Sequence, residues 1–166
     1  MLPKIALFIG RFQPLHNGHA AVIREIALEY DTLKIGIGSA QLSNTKDNPL
    51  SAHERKEMIQ AFLKEEKITN AEIYEIPDIN NDELWVQHVK KIVGEFSIVY
   101  SGNSWVIKLF REKNTQIKKI KEIHPYKATR TRTAVRQDRK IENDVPPVVL
   151  KYLKKIHALE RIRGLQ

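Results

Sequence analysis

Short apolar runs alternate with helical patterns along most of the chain. A fully apolar run predicts a strand buried on both faces, whereas apolar residues recurring every three or four positions predict an amphipathic helix. The isoleucines in 115–123 are spaced by three and leave that segment ambiguous, and we interpret it as a strand. The pattern therefore predicts strands at 5–9, 33–38, 71–76, 96–100 and 115–123.

Local start signals place helices between these strands. Asn17 is a candidate N-cap for the first helix, and Ser51 with Glu54 three residues later forms a capping box for the second. Further helical patterns cover 84–92 and 105–110. Asp144, Pro146 and Pro147 precede a last apolar helical face at 148–156.

Strands that alternate with helices predict an α/β protein with a doubly wound parallel sheet. Ligands of such sheets lie beyond the carboxyl ends of the strands, near the point where the strand order reverses. Neither GxGxxG nor GxxxxGK[ST] occurs, so an ordinary dinucleotide or P-loop site is not indicated. We see no repeat or flexible linker, and expect 1–166 to form one domain with a C-terminal helical segment.

Composition excludes several protein classes. The 166 residues include no cysteine, which excludes a disulfide framework, and no apolar stretch approaches the roughly 18 residues of a membrane span. We therefore expect a cytoplasmic protein with no membrane contact.

Charge is distributed unevenly. Residues 1–110 hold 12 basic and 14 acidic side chains, whereas residues 111–166 hold 16 basic and 6 acidic ones. The C-terminal third is therefore suited to polyanions, either the phosphates of a nucleotide or a nucleic acid. Nucleic acid is the weaker choice, because the only aromatic residues among these cations are Tyr126 and Tyr152 and no nucleic-acid-binding motif is present.

The run GRFQPLHNGH at 10–19 carries the chemistry. It follows the first strand and leads into the first helix, whose unpaired N–H groups and partial positive charge attract anions. Arg11, His16 and His19 add donors there, so phosphate is the leading candidate ligand. A protein-bound metal is not expected, because the two histidines have no third ligand at a recognisable spacing.

This run resembles the HxGH signature of the nucleotidylyltransferase superfamily, and GRFQPxHxGH resembles the archaeal type of nicotinamide-nucleotide adenylyltransferase. The resemblance implies a Rossmann-like fold and a reaction that joins nicotinamide mononucleotide to ATP, giving NAD and pyrophosphate. It also implies a requirement for Mg²⁺ with ATP, and a homo-oligomer, commonly a hexamer. Further segments that resemble this family are GSAQLS at 38–43, SAHER at 51–55, DINNDELWVQHV at 78–89 and VYSGNSWVIKLF at 99–110.

The family's C-terminal phosphate motif, [ST]GTxxR at a helix start, is matched incompletely by residues 131–136. Arg132 stands where glycine is usual, which puts a close backbone approach in doubt and leaves open that Arg132 supplies another cation to the phosphates. Asp82 stands where the nicotinamide loop usually has asparagine, and Asn44 stands where a histidine is usual.

The resemblance implies one set of residues for ATP. We expect His16 and His19 at the phosphates, with His19 nearest the α-phosphate, and Arg11 and Arg136 at the β- and γ-phosphates; these four are the candidate catalytic residues. Magnesium would bridge phosphate oxygens, and no protein ligand for it is predicted. The full ATP-binding set is Gly10, Arg11, Phe12, Gln13, His16, His19, Gly102, Thr131, Thr133 and Arg136.

A second set is expected to bind nicotinamide mononucleotide. Trp85 suits a cationic nicotinamide ring, although a tryptophan on an amphipathic helix is about as often a core residue. For Trp105 and His88 we predict plain packing. The acceptor set is Ser39, Gln41, Asp78, Ile79, Asp82, Trp85 and Asn103.

Two other functions stay open at this point. A sister adenylyltransferase acting on pantetheine phosphate or flavin mononucleotide would keep His16, His19 and Arg136 but would not need Trp85. A nucleic-acid-binding module would show salt-dependent affinity for strands that survives loss of His19 or Arg136.

Overall fold

A computed structural model of the chain describes residues 2–120 and 126–165. Its five strands pair in parallel throughout, in the order β3-β2-β1-β4-β5. The order reverses between β1 and β4, which is the pattern of a doubly wound sheet. The strands are β1 (Ile5–Gly10), β2 (Thr32–Gly38), β3 (Ala71–Ile76), β4 (Ile98–Ser101) and β5 (Ile117–Lys119).

Helices alternate with these strands and then continue alone to the end of the chain. The predicted α/β class with a parallel, doubly wound, Rossmann-like sheet and C-terminal helices is confirmed. None of the helices in the described part of the chain is long and apolar enough to cross a bilayer. The helices are α1 (Asn17–Glu29), α2 (Ala52–Glu65), α3 (Asp82–Val93), α4 (Ser104–Glu112), α5 (Ala128–Arg136), α6 (Pro147–Lys155) and α7 (Ala158–Gly164).

The chain divides into two compact units that interleave in sequence. The first, here the sheet unit, comprises Met1–Arg11, Val22–Ala40 and Asn70–Lys121. The second, here the helical unit, comprises Phe12–Ala21, Gln41–Thr69 and Glu122–Gln166. That residues 1–166 form one domain stays a prediction.

The core of the sheet unit forms where helices α3 and α4 pack on one face of the sheet. β1 is apolar and buried at its four central positions, as predicted for a strand covered on both faces. Leu7 and Ile9 point to the face that also receives Trp85, Val89 and Phe110. Lys34 is also buried, and its ammonium donates to the carbonyl oxygens of Val93, the last residue of α3, and of Glu95 just beyond it.

The helical unit is held by polar contacts between its helices as well as by an apolar core. Ser51 and Glu54 form the predicted capping box of α2. The same Glu54 carboxylate accepts two hydrogen bonds from Arg161 of α7, at 2.6 and 3.0 Å. These bonds hold the pKa of Glu54 below its usual value, although burial opposes them. A sequence-local cap is thus also a tertiary link between α2 and α7.

Several element boundaries differ from the sequence expectation. β4 begins at Ile98 rather than at residue 96, and β5 covers only Ile117–Lys119 of the predicted 115–123, of which 121–123 lie outside the described residues. The phosphate motif begins at the fourth residue of α5 rather than at its start. Helix α7, which follows a left-handed residue at His157, was not predicted.

Candidate active site

The loop between β1 and α1 is fixed by a buried glutamine. Gln13 is 1% exposed, and its side-chain amide makes two bonds to Leu50: Nε2 donates to the Leu50 carbonyl at 2.8 Å and Oε1 accepts from the Leu50 N–H at 2.9 Å. The paired bonds hold residues 44–50, here called the clamp loop, against the start of the helical unit. Gln13, a predicted ATP-binding residue, is thus buried and bonded to the clamp loop.

The two histidines of the motif cap α1 reciprocally. The backbone N–H of His19 donates to Nδ1 of His16 at 3.2 Å, and the backbone N–H of His16 donates to Nδ1 of His19 at 3.2 Å. This is the arrangement of a capping box, with histidine in both positions. The prediction of Asn17 as N-cap is therefore wrong, because the Asn17 side chain instead donates to the carbonyl of Asn143.

These hydrogen bonds determine where the histidines carry their protons. A ring nitrogen that accepts a hydrogen bond is unprotonated, so each neutral ring carries its proton on Nε2. Burial lowers the pKa of His16 from 6.5 to about 4. Burial, and after it the charge of His16, lower the pKa of His19 well below 6.5. At neutral pH the pair therefore has two Nε2–H donors and no positive charge.

Packing aligns the two rings. The His16 and His19 rings stack with centroids 3.7 Å apart and planes 20° apart, and Phe12 lies 4.7 Å from the His19 ring. Gly18 is required between them, because a Cβ there would lie 2.9 Å from Cε1 of His16. The glycine of the HxGH pattern thus leaves room for the ring of its first histidine.

Helix α5 presents the C-terminal motif differently from the sequence expectation. Thr131 is buried, and its hydroxyl donates to the carbonyl of Lys127 one turn back. Thr133 is partly exposed. Arg136 donates to two backbone carbonyls, that of Leu165 at 3.3 Å and that of Lys46 in the clamp loop at 2.5 Å. Arg136 would have to exchange these carbonyls for phosphate oxygens.

Arg132, which replaces the usual glycine, points into the helical unit. It is 2% exposed, and its guanidinium donates to the carbonyl of Gln13 at 3.0 Å and to the Asp47 carboxylate at 3.2 Å. It therefore joins α5 to both the β1–α1 loop and the clamp loop. That Arg132 supplies another cation to phosphates stays a prediction, and its guanidinium would have to leave these partners to do so.

In the sheet unit, candidate residues follow the carboxyl ends of the parallel strands, which lie at one edge of the sheet. Gly10 ends β1 and exposed Arg11 follows it, while a Cβ at Gly102 would meet no atom within 4 Å. Asn103 caps α4, since its Oδ1 accepts from the N–H groups of Trp105 and Val106. The other candidates at this edge are partly exposed Ser39 and Asp78 and exposed Ile79, while exposed Gln41 belongs to the helical unit.

The aromatic candidate Trp85 lies under a second tryptophan. Trp85 is 2% exposed and lies 4.7 Å from the ring of Trp105 and 5.8 Å from that of Phe110. Trp105 is 36% exposed, and its Nε1–H donates to Oδ1 of Asp82 at 3.3 Å. The expectation of plain packing for Trp105 missed this bond, for which the sequence has no signal because it joins residues 23 positions apart.

His88 contacts the backbone next to one of the acidic candidate residues. Nε2 of His88 lies 2.8 Å from the carbonyl of Pro77, next to Asp78. Across 2–120 and 126–165, no three histidine, aspartate or glutamate side chains come together as a metal-binding group.

Comparison with known proteins identifies similar sequences over nearly the whole chain. The family model described as cytidylyltransferase-like matches residues 7–137. The nicotinamide-nucleotide adenylyltransferase of Thermoplasma acidophilum is 39% identical over 164 residues, covering 98% of this chain and 92% of that protein. The enzyme of the same name from Methanospirillum hungatei is 42% identical over 164 residues, covering 96% of this chain and 92% of that protein.

Solved structures with lower sequence identity share the fold. A bifunctional NMN adenylyltransferase/ADP ribose pyrophosphatase from Francisella tularensis, complexed with AMP and a manganese ion, matches with a TM-score of 0.77 at 22% identity. The match covers 98% of this chain and 52% of that one. A nicotinic acid mononucleotide adenylyltransferase from Plasmodium falciparum matches with a TM-score of 0.65 at 12% identity, covering 96% of this chain and 98% of that one.

Proposed function

The chain belongs to the family of nicotinamide-nucleotide adenylyltransferases, and on that premise we propose that it joins nicotinamide mononucleotide to ATP, forming NAD and pyrophosphate. The observation that carries the proposal is the histidine capping box. It places two neutral Nε2–H donors at the N-terminus of α1, where an anion is already favoured. A triphosphate can accept hydrogen bonds from both N–H donors and carries the negative charge that a helix N-terminus favours.

The reaction needs no general base. A phosphate oxygen of the mononucleotide attacks the α-phosphorus of ATP, a new phosphorus–oxygen bond forms, and the bond from that phosphorus to the β-bridging oxygen breaks. Pyrophosphate leaves with the electron pair. Positioning and stabilisation of the charge that develops on the phosphate oxygens therefore account for the catalysis.

His16 and His19 supply these donors in a preorganised form. Because each Nδ1 accepts a backbone N–H, neither ring can flip or change tautomer without losing a cap. Their Nε2–H groups are proposed to bind the phosphates, with His19 nearest the α-phosphate. Two fixed donors need no reorganisation as charge moves toward the leaving group.

The cations and hydroxyls complete the proposed ATP site. Arg11 and Arg136 are assigned to the β- and γ-phosphates, and partly exposed Thr133 is assigned to the ATP site as a hydroxyl donor. Gly10 and Gly102 leave space for the nucleotide, and buried Thr131 acts through the helix it stabilises. Phe12 and Gln13 hold the loop and the His19 ring.

Magnesium is proposed to enter as part of the substrate, as the ATP complex. Phosphate oxygens are the ligands that Mg²⁺ prefers, and it commonly keeps several waters. Bridging the β- and γ-oxygens, it would neutralise part of the charge on the pyrophosphate.

The acceptor is proposed to bind at the carboxyl edge of the sheet unit. The cationic nicotinamide ring is assigned to the aromatic pair in which exposed Trp105 covers buried Trp85, and Asp82 is bonded to Trp105. Asp78, Ile79 and the other candidates at this edge, Ser39 and Asn103, with Gln41 of the helical unit, are proposed for the remaining polar and apolar contacts. Assembly as a homo-oligomer, including a hexamer, and a cytoplasmic location stay predictions.

An acceptor assay tests the function. Purified protein with ATP and Mg²⁺ is offered nicotinamide mononucleotide, pantetheine phosphate or flavin mononucleotide in turn, and pyrophosphate release is followed. We expect release with nicotinamide mononucleotide, with NAD formed in equal amount, and at most a hundredth of that rate with the others. Equal or faster release with either of the other acceptors would assign the chain to a sister activity.

A further inference from the structure

Asp82 occupies a defined place beside the aromatic pair. It is the first residue of α3 and lies three positions before Trp85, so the two share a helix face. Trp105 of α4 packs on the Trp85 ring with centroids 4.7 Å apart, and its Nε1–H bonds the Asp82 carboxylate at 3.3 Å. A ring that bound against this pair would carry its substituent close to Asp82.

The hydrogen-bonding groups around the pair match a primary amide. A carboxylate only accepts hydrogen bonds, and that of Asp82 already accepts one N–H. The buried Nε1–H of Trp85 has no partner among the residues the structure describes, and is a second donor. A carboxamide can give its own N–H to Asp82 and offer its carbonyl oxygen to an indole N–H.

A ligand carboxylate fits the same place poorly. It has no N–H to give to Asp82, and it would bring a second negative charge to that position. The segment 77–83 contains Asp78, Asp82 and Glu83 and no lysine or arginine. Lys108, one turn beyond Trp105 on α4, faces Glu112 at 3.9 Å. Segment 77–83 itself therefore supplies no cation to offset the second charge.

From this geometry we propose that Asp82 is a specificity-determining residue that selects nicotinamide mononucleotide over nicotinate mononucleotide. The proposal rests on the proposed function and adds to it the choice between the amide and the acid form of the acceptor. On binding, the carboxamide N–H takes the place of the Trp105 indole N–H at Asp82. Asparagine, which the family resemblance leads one to expect here, would both donate and accept, and so would not distinguish the two forms by charge.

The size of the preference follows from one hydrogen bond to a charged group. Sites built to bond a substrate N–H discriminate against analogues that lack it, because the site's polar group is then left unpaired. Asp82 is exposed in this structure, so part of that penalty is relieved by solvent. We expect kcat/KM to favour the amide acceptor by about tenfold.

The test compares two acceptors on three proteins. With saturating ATP and Mg²⁺, pyrophosphate release gives kcat/KM for nicotinamide and nicotinate mononucleotides on the wild type, Asp82→Asn and Glu83→Gln. Asp82→Asn should lower the preference to about twofold or less, mainly by improving use of the nicotinate form. Glu83→Gln removes a neighbouring charge of the same sign and should keep the wild-type ratio. KM for ATP should not change in either variant.

The outcomes separate this proposal from the function on which it rests. If neither acceptor releases pyrophosphate from the wild type, the proposed function fails. If both are used equally by the wild type, or if the ratio does not change in Asp82→Asn, the assignment of Asp82 is overturned while the function stands. Asp82→Ser, a second neutral residue suited to a helix start, must shift the ratio in the same direction.

Discussion

Two pairs of aromatic rings, one of histidines and one of tryptophans, differ in what holds them together. The His16 and His19 rings belong to one helix start, and each is tied to the backbone of the other. The Trp85 and Trp105 rings come from two helices and meet by packing, with a single bond from Trp105 to an exposed carboxylate. The histidine pair is therefore fixed by two hydrogen bonds to the backbone, whereas the tryptophan pair is held by packing and one side-chain bond.

This difference suits the two halves of the proposed reaction. Phosphate charge must be met by donors that do not move during the reaction, since reorganisation would raise the barrier. A planar acceptor ring is bound mainly by stacking, which does not require fixed donors. Substitutions that loosen the histidine pair should therefore have large effects on kcat, and substitutions in the tryptophan pair should act mainly on KM for the acceptor.

The largest effect is expected from His19→Asn. Asparagine can keep an acceptor near the position of Nδ1, and so keep the cap, but it has no donor at the position of Nε2. Loss of about 3 kcal/mol of transition-state stabilisation would lower kcat about a hundredfold. The measurement is pyrophosphate release at saturating substrates, with the thermal midpoint recorded in parallel. A kcat within threefold of wild type would show that the Nε2–H of His19 has no catalytic role.

A smaller loss is expected from Gly18→Ala, which leaves both histidines in place. The added Cβ would lie 2.9 Å from the His16 ring and must displace it. We expect kcat/KM to fall at least tenfold, because both the cap and the ring position are disturbed. Gly164→Ala is the matched control, since a Cβ there meets no atom within 4 Å. Equal activity in the two variants would contradict the need for space beside His16.

The histidine pair also predicts how stability depends on pH. The pKa of His16 falls from 6.5 to about 4 on folding, so between these values the unfolded chain binds a proton that the folded chain does not. Stability should therefore be fully present above about pH 6.5 and decrease as the pH falls toward 4, by roughly 3 kcal/mol in total for this group. Urea unfolding of the wild type and of His16→Asn at pH 7, 5.5 and 4.5 measures the difference, and the same pH dependence in both would contradict the assignment.

The smallest effect is expected from Trp105→Phe in the tryptophan pair. Phenylalanine keeps an aromatic ring over Trp85 but removes the N–H that bonds Asp82. Since the acceptor no longer competes with that N–H, its KM should fall by about twofold while kcat is unchanged. Steady-state kinetics with varied nicotinamide mononucleotide checks this. A tenfold loss of kcat would show that the indole N–H itself takes part in the chemistry.

Sequence alone predicted those features that depend on local order. The apolar β1 strand and the Ser51–Glu54 box are encoded within a few residues, and both were found where predicted. The histidine cap was missed because histidine is not among the usual capping residues, and the pattern offered Asn17 instead. The candidate residues themselves stay predictions; what the structure adds is their contacts.

Long-range contacts could not be predicted from the sequence. That Arg132 is buried against Gln13 and Asp47 depends on how α5 packs within the helical unit, which no local pattern specifies. The sequence predicts only packing for Trp105, because its hydrogen-bond partner Asp82 is distant in the chain. Arginine and aspartate are most often exposed, so sequence reasoning places them at surfaces by default.

The clamp loop limits which changes in chain length this protein can accept. Arg136 binds the carbonyl of Lys46, and Gln13 binds both main-chain groups of Leu50, so the loop is fixed by backbone atoms four residues apart. The side chain of Lys46 is exposed and its identity is not used by these bonds. Adding or deleting one residue between Lys46 and Leu50 would move the backbone groups of one of them away from the side chain that binds them. Substitutions of Lys46 should therefore be tolerated across relatives, while the length of the loop stays constant.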